Sequence, residues 1–125
     1  MLGLRTVIYK VGDIAKATEW YTKAFETAPY FNEPFYVSFN IRGYELGLQP
    51  EKNPATEKPE SVTALWGVEQ IEAEYQRLLK LGAAEYERPT AVGGALMVAS
   101  VKDPWGNILG LIYNPEFKLP DSYEK

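Results

Sequence analysis

Two stretches of this chain, 57 residues apart, carry the same succession of residue types. Thr6-Val7-Ile8-Tyr9-Lys10-Val11 is an apolar-rich strand leading to a helix that opens at Asp13. Thr63-Ala64-Leu65-Trp66-Gly67-Val68 repeats the pattern, again before a helix. Thr6 matches Thr63, Val11 matches Val68, Ile14 matches Ile71 and Lys23 matches Lys80. The halves also close alike, Leu46-Gly47-Leu48-Gln49-Pro50-Glu51 against Leu111-Ile112-Tyr113-Asn114-Pro115-Glu116. A repeated unit of this size cannot bury its apolar face alone, so the two must pack together.

Each half reads as a strand, a helix and then further strands. Ile14, Ala17, Tyr21, Ala24 and Phe25 share one face of the first helix, with Asp13 placed to accept from its free first-turn N–H groups. Ile71, Tyr75, Leu78 and Leu79 form the stripe of the second, and Gly82 suits a left-handed stop. Between the halves, residues 50–60 hold three prolines and five charges, which makes them a solvated linker. Residues 117–125 form a polar tail.

Composition excludes several functions. There is no histidine and no cysteine, so the two side chains best suited to transition metals are missing. The 13 basic and 17 acidic residues give −4 with no basic run, which argues against nucleic acid as a partner. No apolar stretch is long enough to span a bilayer, and Met1-Leu2-Gly3-Leu4-Arg5 does not lead into a signal-peptide core. The lack of cysteine suits the cytoplasm. At 125 residues, 46 % of them hydrophobic, the chain suffices for one compact domain.

Residues 35–49 carry the clearest alternation. Phe35, Val37, Phe39 and Ile41 alternate with Tyr36, Ser38 and Asn40, and Arg42-Gly43 turns into Tyr44, Leu46 and Leu48. A two-residue hairpin sets Ile41 opposite Tyr44, Asn40 opposite Glu45, Ser38 opposite Gly47 and Tyr36 opposite Gln49. One face is apolar; the other gathers Tyr36, Ser38, Asn40, Glu45 and Gln49. By the same alternation Thr6, Ile8 and Lys10 join the polar face, while Val7, Tyr9 and Val11 go to the core. Plain solvent exposure would account for such a face equally well.

The strand ending in Val11-Gly12-Asp13-Ile14, the helical Trp20-Tyr21, the turn Lys102-Asp103-Pro104-Trp105-Gly106-Asn107 and the closing apolar strand form a set. On these residues the chain resembles the glyoxalase/bleomycin-resistance/dioxygenase superfamily, the vicinal oxygen chelate fold, over about residues 4–116. The resemblance implies an α+β fold in which two βαβββ modules form a curved mixed sheet around a pocket, commonly in a homodimer. It implies one domain over 1–125, with modules at about 4–50 and 61–116, linker 51–60 and tail 117–125.

Metal enzymes of that family take ligands from the first and last strand of each module. Thr6 and Thr63 stand at the first-strand positions here, Glu45 at one last-strand position and Gly110 at the other. One strong donor of four cannot hold a transition metal, so no metal and no cofactor is expected. A hard ion on Glu45 with waters would be the remaining metal.

In the second half Leu65, Gly67, Ile108, Gly110 and Ile112 should face the cavity, with glycines 67 and 110 leaving room. An apolar wall opposite a polar one suits an amphipathic or aromatic ligand. The ligand-binding set is therefore Thr6, Ile8, Lys10, Tyr36, Ser38, Asn40, Glu45, Gln49, Thr63, Leu65, Gly110 and Ile112. Lys10 pairs either with Glu45 or with an anionic ligand group, and Glu45 is the one candidate for a catalytic base. Trp66 belongs to the core, and Trp105 to the surface or an interface.

Three functions follow from the resemblance. The first is metal-free small-molecule binding, such as sequestering a toxic or antibiotic-like compound. The second is a lactoylglutathione-lyase-like or dioxygenase-like enzyme with a degenerate site at Glu45. The third is a dimeric interaction module with a vestigial pocket.

Overall fold

The computed structural model describes residues 1–53, 58 and 62–117. The first half contains β1 (Thr6–Val11), α1 (Ile14–Phe25), β2 (Phe31–Glu33), β3 (Tyr36–Ile41) and β4 (Tyr44–Pro50). The second contains β5 (Leu65–Gly67), α2 (Ile71–Lys80), β6 (Ala84–Gly93), β7 (Leu96–Lys102) and β8 (Ile108–Tyr113). Their sheets run β1-β4-β3-β2 and β5-β8-β7-β6. In each, the first strand pairs parallel with the last and the other pairings are antiparallel. The fold is thus α+β, two βαβββ modules each with a mixed four-stranded sheet. Of the expected linker and tail, residues 54–57, 59–61 and 118–125 lie outside the described residues.

Local chemistry explains where the elements stop and start. Asp13 caps α1, its carboxylate accepting from the Lys16 amide at 3.1 Å. Gly82 follows α2 at φ 106°, with the Gly82 amide bonded to the Leu79 carbonyl and the Ala83 amide to that of Leu78. That pair of bonds is a Schellman ending, which needs a left-handed residue where glycine sits. The first helix ends on left-handed Glu26 instead, without a glycine. Arg42 and Gly43, both at positive φ, close the β3–β4 hairpin.

The core is continuous across both modules, because each sheet turns its alternate residues toward the helices. Val37, Phe39, Leu46 and Leu48 on one side and Ala99, Val101, Leu109 and Leu111 on the other are buried beside Tyr21 and Tyr75. Trp66 lies on this side, as its alternation requires, with its ring 5.0 Å from Phe25 and its Nε1 donating to the Tyr9 hydroxyl at 3.1 Å. Trp105 sits where the modules meet. It is half-buried, edge-on to Trp20 at 6.3 Å, because the Asp-Pro turn folds back over α1.

That turn fastens the halves together. Asp103 is buried and accepts from the amides of Trp105 (2.9 Å) and Asn107 (2.7 Å), the Asn107 side chain (3.0 Å) and the Tyr21 hydroxyl (2.6 Å). Asn107 in turn donates to the Lys10 carbonyl at 2.9 Å. Across the seam, Arg77 of α2 donates to the carbonyls of Lys23 and Ala24 at the end of α1, and Trp20 of α1 to that of Leu81. Each helix end is satisfied by the other module.

Register corrects the internal alignment. Thr6 pairs with Glu45 and Ile8 with Gly47, while Leu65, the match of Ile8, pairs with Gly110. Gly110 is therefore the counterpart of Gly47, and the counterpart of Glu45 is Ile108. The true repeat is Leu46-Gly47-Leu48 with Leu109-Gly110-Leu111, two residues from the alignment the closing segments suggest. Ser38 and Ser100, opposite those glycines, are both buried at 3 % exposure.

Candidate functional site

The polar residues of the first module converge on Glu45 because the hairpin register puts them on one face. Ser38 lies opposite Gly47 and Thr6 opposite Glu45, so a single pleat carries all of them. Tyr36 leans across the space that a Gly47 side chain would fill, since a Cβ there would meet the Tyr36 ring. Its hydroxyl donates to Glu45 Oε2 at 2.5 Å, Ser38 Oγ donates to the same oxygen at 3.4 Å, and Tyr30 donates to Oε1 at 2.6 Å.

This arrangement sets the charge state. Hydrogen bonds from Tyr30 and then Tyr36 hold the Glu45 carboxyl below its ordinary value. Burial, followed by the bond to Glu45, pushes the Tyr36 phenol up to about 12. Near neutral pH the site is thus an anionic carboxylate ringed by neutral hydroxyl donors. Among the described residues no Lys or Arg forms an ion pair with Glu45.

A cleft of about 460 Å³ opens one strand away, along the seam between modules. Thr6 and Ile8 of β1 face Thr63, Ala64, Asn107 and Ile108 across it, with Leu4 and Val62 at apolar positions on its lining. Lys58 reaches into it from the linker, donating to the Lys10 carbonyl at 2.6 Å and lying 3.1 Å from Glu51 Oε1. Lys58 is thus held in the cleft by its neighbours, a contact that composition alone does not reveal.

The expected ligand set divides accordingly. Thr6, Ile8 and Thr63 line the cleft, while Tyr36, Ser38 and Glu45 form the carboxylate cluster. Asn40 is spent on the hairpin, its Oδ1 accepting from the Gly43 amide at 2.7 Å. Lys10 and Gln49 pair in register at the far end of the face. Four residues along β1 from Thr6 place Lys10 about 13 Å from Glu45, so the two do not form the expected alternative ion pair. Leu65, Gly110 and Ile112 share the face of the second sheet.

Gly110 does not leave the room expected of it. A Cβ there would meet the Ala64 carbonyl and the Leu65 side chain, so the space is already taken. Gly67, by contrast, has open space above it. Opposite Gly110, the Ser100 hydroxyl donates to Glu87 Oε1 at 3.2 Å, which gives the second face a carboxylate from β6.

Tyr30, Glu87 and Lys58 are the residues that sequence reasoning does not find. Tyr30 precedes a three-residue strand, and β6 contains register shifts that hide its alternation. The repeated Leu-Gly-Leu is the signal that would have placed Ile108 correctly.

The residues at the four family ligand positions are Thr6, Glu45, Thr63 and Ile108, which do not fit a transition metal. Among the described residues no group of three or more His, Cys, Asp or Glu could hold a metal ion. The protons of Tyr30, Tyr36 and Ser38 also point at the Glu45 oxygens a metal would need.

In overall shape the chain is similar to a glyoxalase-related enzyme from Fulvimarina pelagi, with a TM-score of 0.79, 19 % identity, and coverage of 97 % of this chain and 94 % of that one. It is similar to a glyoxalase/bleomycin resistance protein from Albidiferax ferrireducens T118, with a TM-score of 0.73, 18 % identity, and coverage of 90 % and 98 %. TioX from Micromonospora sp. ML1 has a TM-score of 0.70 at 14 % identity over 89 % and 98 %. No curated protein matches the chain in sequence. At these identities the likenesses establish the fold, and no helix among the described residues is long and apolar enough to cross a membrane. The family profile matches residues 3–111, nearly the whole chain, which therefore belongs to the Glyoxalase/Bleomycin resistance protein/Dioxygenase superfamily.

Proposed function

We propose that this chain binds an organic small molecule and does not work through a catalytic transition metal. The observation that carries this reading is the donor set: one carboxylate at four ligand positions, already engaged by three hydroxyl protons. A cleft with apolar walls beside that carboxylate supports a ligand with an apolar body and a polar end. Sequestration needs nothing further, since affinity comes from burial and orientation from a few polar groups. We also propose a homodimer, as the resemblance implies, and light scattering on the purified chain should give about twice the monomer mass.

The test is metal analysis of protein purified without a histidine tag, together with a thermal-shift screen of aromatic and amphipathic compounds. The expected result is substoichiometric metal and a raised Tm with one ligand class. Stoichiometric Zn, Ni, Fe or Mn would overturn the reading in favour of a glyoxalase-type enzyme. No stabilisation by any class would overturn it in favour of an interaction module.

A further inference from the structure

Resting on that reading, we infer that the Glu45 cluster receives the positively charged head of an organic ligand, an alkylated or quaternary ammonium, while the adjoining cleft holds its apolar body. The charge is the first reason. Glu45 is anionic near neutral pH, and among the described residues it has hydroxyl partners but no cationic one. Lys10, the cation on the same face, stands about 13 Å along β1, and Lys58, which reaches into the adjoining cleft, is held by Glu51 and the Lys10 carbonyl. An anionic group entering here would meet an uncompensated negative charge.

The second reason is the geometry of the protons. A carboxylate has about four acceptor positions, and Tyr30, Tyr36 and Ser38 fill three of them. A compact metal ion requires inner-sphere oxygens and would have to expel these donors. An ammonium bearing alkyl groups needs only proximity to the charge and at most one hydrogen bond.

The third reason is the aromatic surround. Phe31 pairs in register with Ser38, so it stands on the same face, 40 % exposed and edge-on to Phe35 at 6.0 Å. The Tyr30 and Tyr36 rings border the carboxylate at their hydroxyl ends, and Phe31 adds an aromatic wall against which an ammonium's alkyl groups can pack. Thr6 belongs to both places, pairing with Glu45 and lining the cleft. One molecule can therefore span the two, about one strand spacing of 4.8 Å apart.

The experiment compares benzyltrimethylammonium with its uncharged carbon isostere, neopentylbenzene, by amide chemical shifts of the full chain at low salt. The expected result is a cation bound at least about tenfold more tightly than the isostere. Glu45→Gln should abolish that preference and leave the isostere's affinity unchanged; Tyr36→Phe should reduce it in part. Raising salt should weaken the cation alone, a readout that needs no variant. Equal affinities with no effect of salt or of Glu45→Gln would overturn this inference and leave the binding reading standing. Binding of Zn²⁺ or Mn²⁺ that Glu45→Gln removes would overturn it as well. Neither probe shifting any resonance would overturn the inference and leave the binding reading to the thermal-shift screen.

Discussion

The two modules share a backbone plan and use it differently. Both place a buried serine opposite a glycine, Ser38 with Gly47 and Ser100 with Gly110, on the face turned away from the helices. In the first module the space above glycine is taken by the ring of Tyr36, the far end of a side chain that can swing. In the second it is taken by Leu65 and by the Ala64 backbone, which cannot. The first arrangement delivers a hydroxyl to a carboxylate; the second closes the sheet with apolar contact. The two modules share the shelf and differ in what rests on it.

Removing the seam that both modules share should have the largest effect. Asp103→Ala leaves the Tyr21 hydroxyl and the Asn107 amide without their buried acceptor, and should cost about 4 kcal/mol in a denaturant titration. A loss below about 1 kcal/mol would mean the halves are held by apolar packing alone. Next come the two glycines. Gly110→Ala must displace backbone and should cost about 3 kcal/mol. Gly47→Ala need only push Tyr36 aside, should cost about 1 kcal/mol, and should cancel ligand binding. Equal losses at both would mean that the space above each glycine is closed equally firmly.

Smaller effects isolate the carboxylates. Glu45→Gln should change stability by less than about 1 kcal/mol while altering ligand affinity. Glu87→Gln should move stability by less than about 0.5 kcal/mol and leave affinity alone. A large stability loss at Glu45 would recast it as a structural partner.

The smallest signal is the dependence on pH. The folded Glu45 carboxyl lies below its ordinary value of 4.5, so the unfolded chain binds more protons in that window. Its contribution is present above 4.5 and is lost as pH falls through the folded value. Glu45→Gln should remove that part of the acid limb of Tm against pH. On the alkaline side, Tyr36 should ionise near 12, not near the ordinary 10.0, in an ultraviolet titration. A Tyr36 that ionised near 10 would show that neither its burial nor its bond to Glu45 is kept in solution.

Much of this was legible in the sequence, because period-two alternation with a tight Arg42-Gly43 turn leaves a hairpin one register. The helix caps at Asp13 and Gly82 were readable for the same reason, being local chemistry. What escaped was non-local. Tyr30 reaches Glu45 from 15 residues away, and Glu87 reaches Ser100 across a strand whose bulges break the alternation. The Gly110 assignment failed because the likeness of the closing segments offered a plausible alignment two residues out, which only strand pairing could reject. The Lys58 contact was hidden as well, because a long side chain in a charged, proline-rich stretch gives no sign in sequence of where its ammonium ends.

The cross-capping of the helices bears on how the chain comes apart. Tandem repeats that touch only through apolar surface can unfold one after another. Here the last carbonyls of α1 are bonded by Arg77, the end of α2 by Trp20, and Asp103 by a tyrosine 82 residues earlier. Neither half can open without stripping partners from the other. Melting should therefore be a single transition, with calorimetric and van't Hoff enthalpies equal. The repeat is visible in the architecture and should be absent from the melting curve.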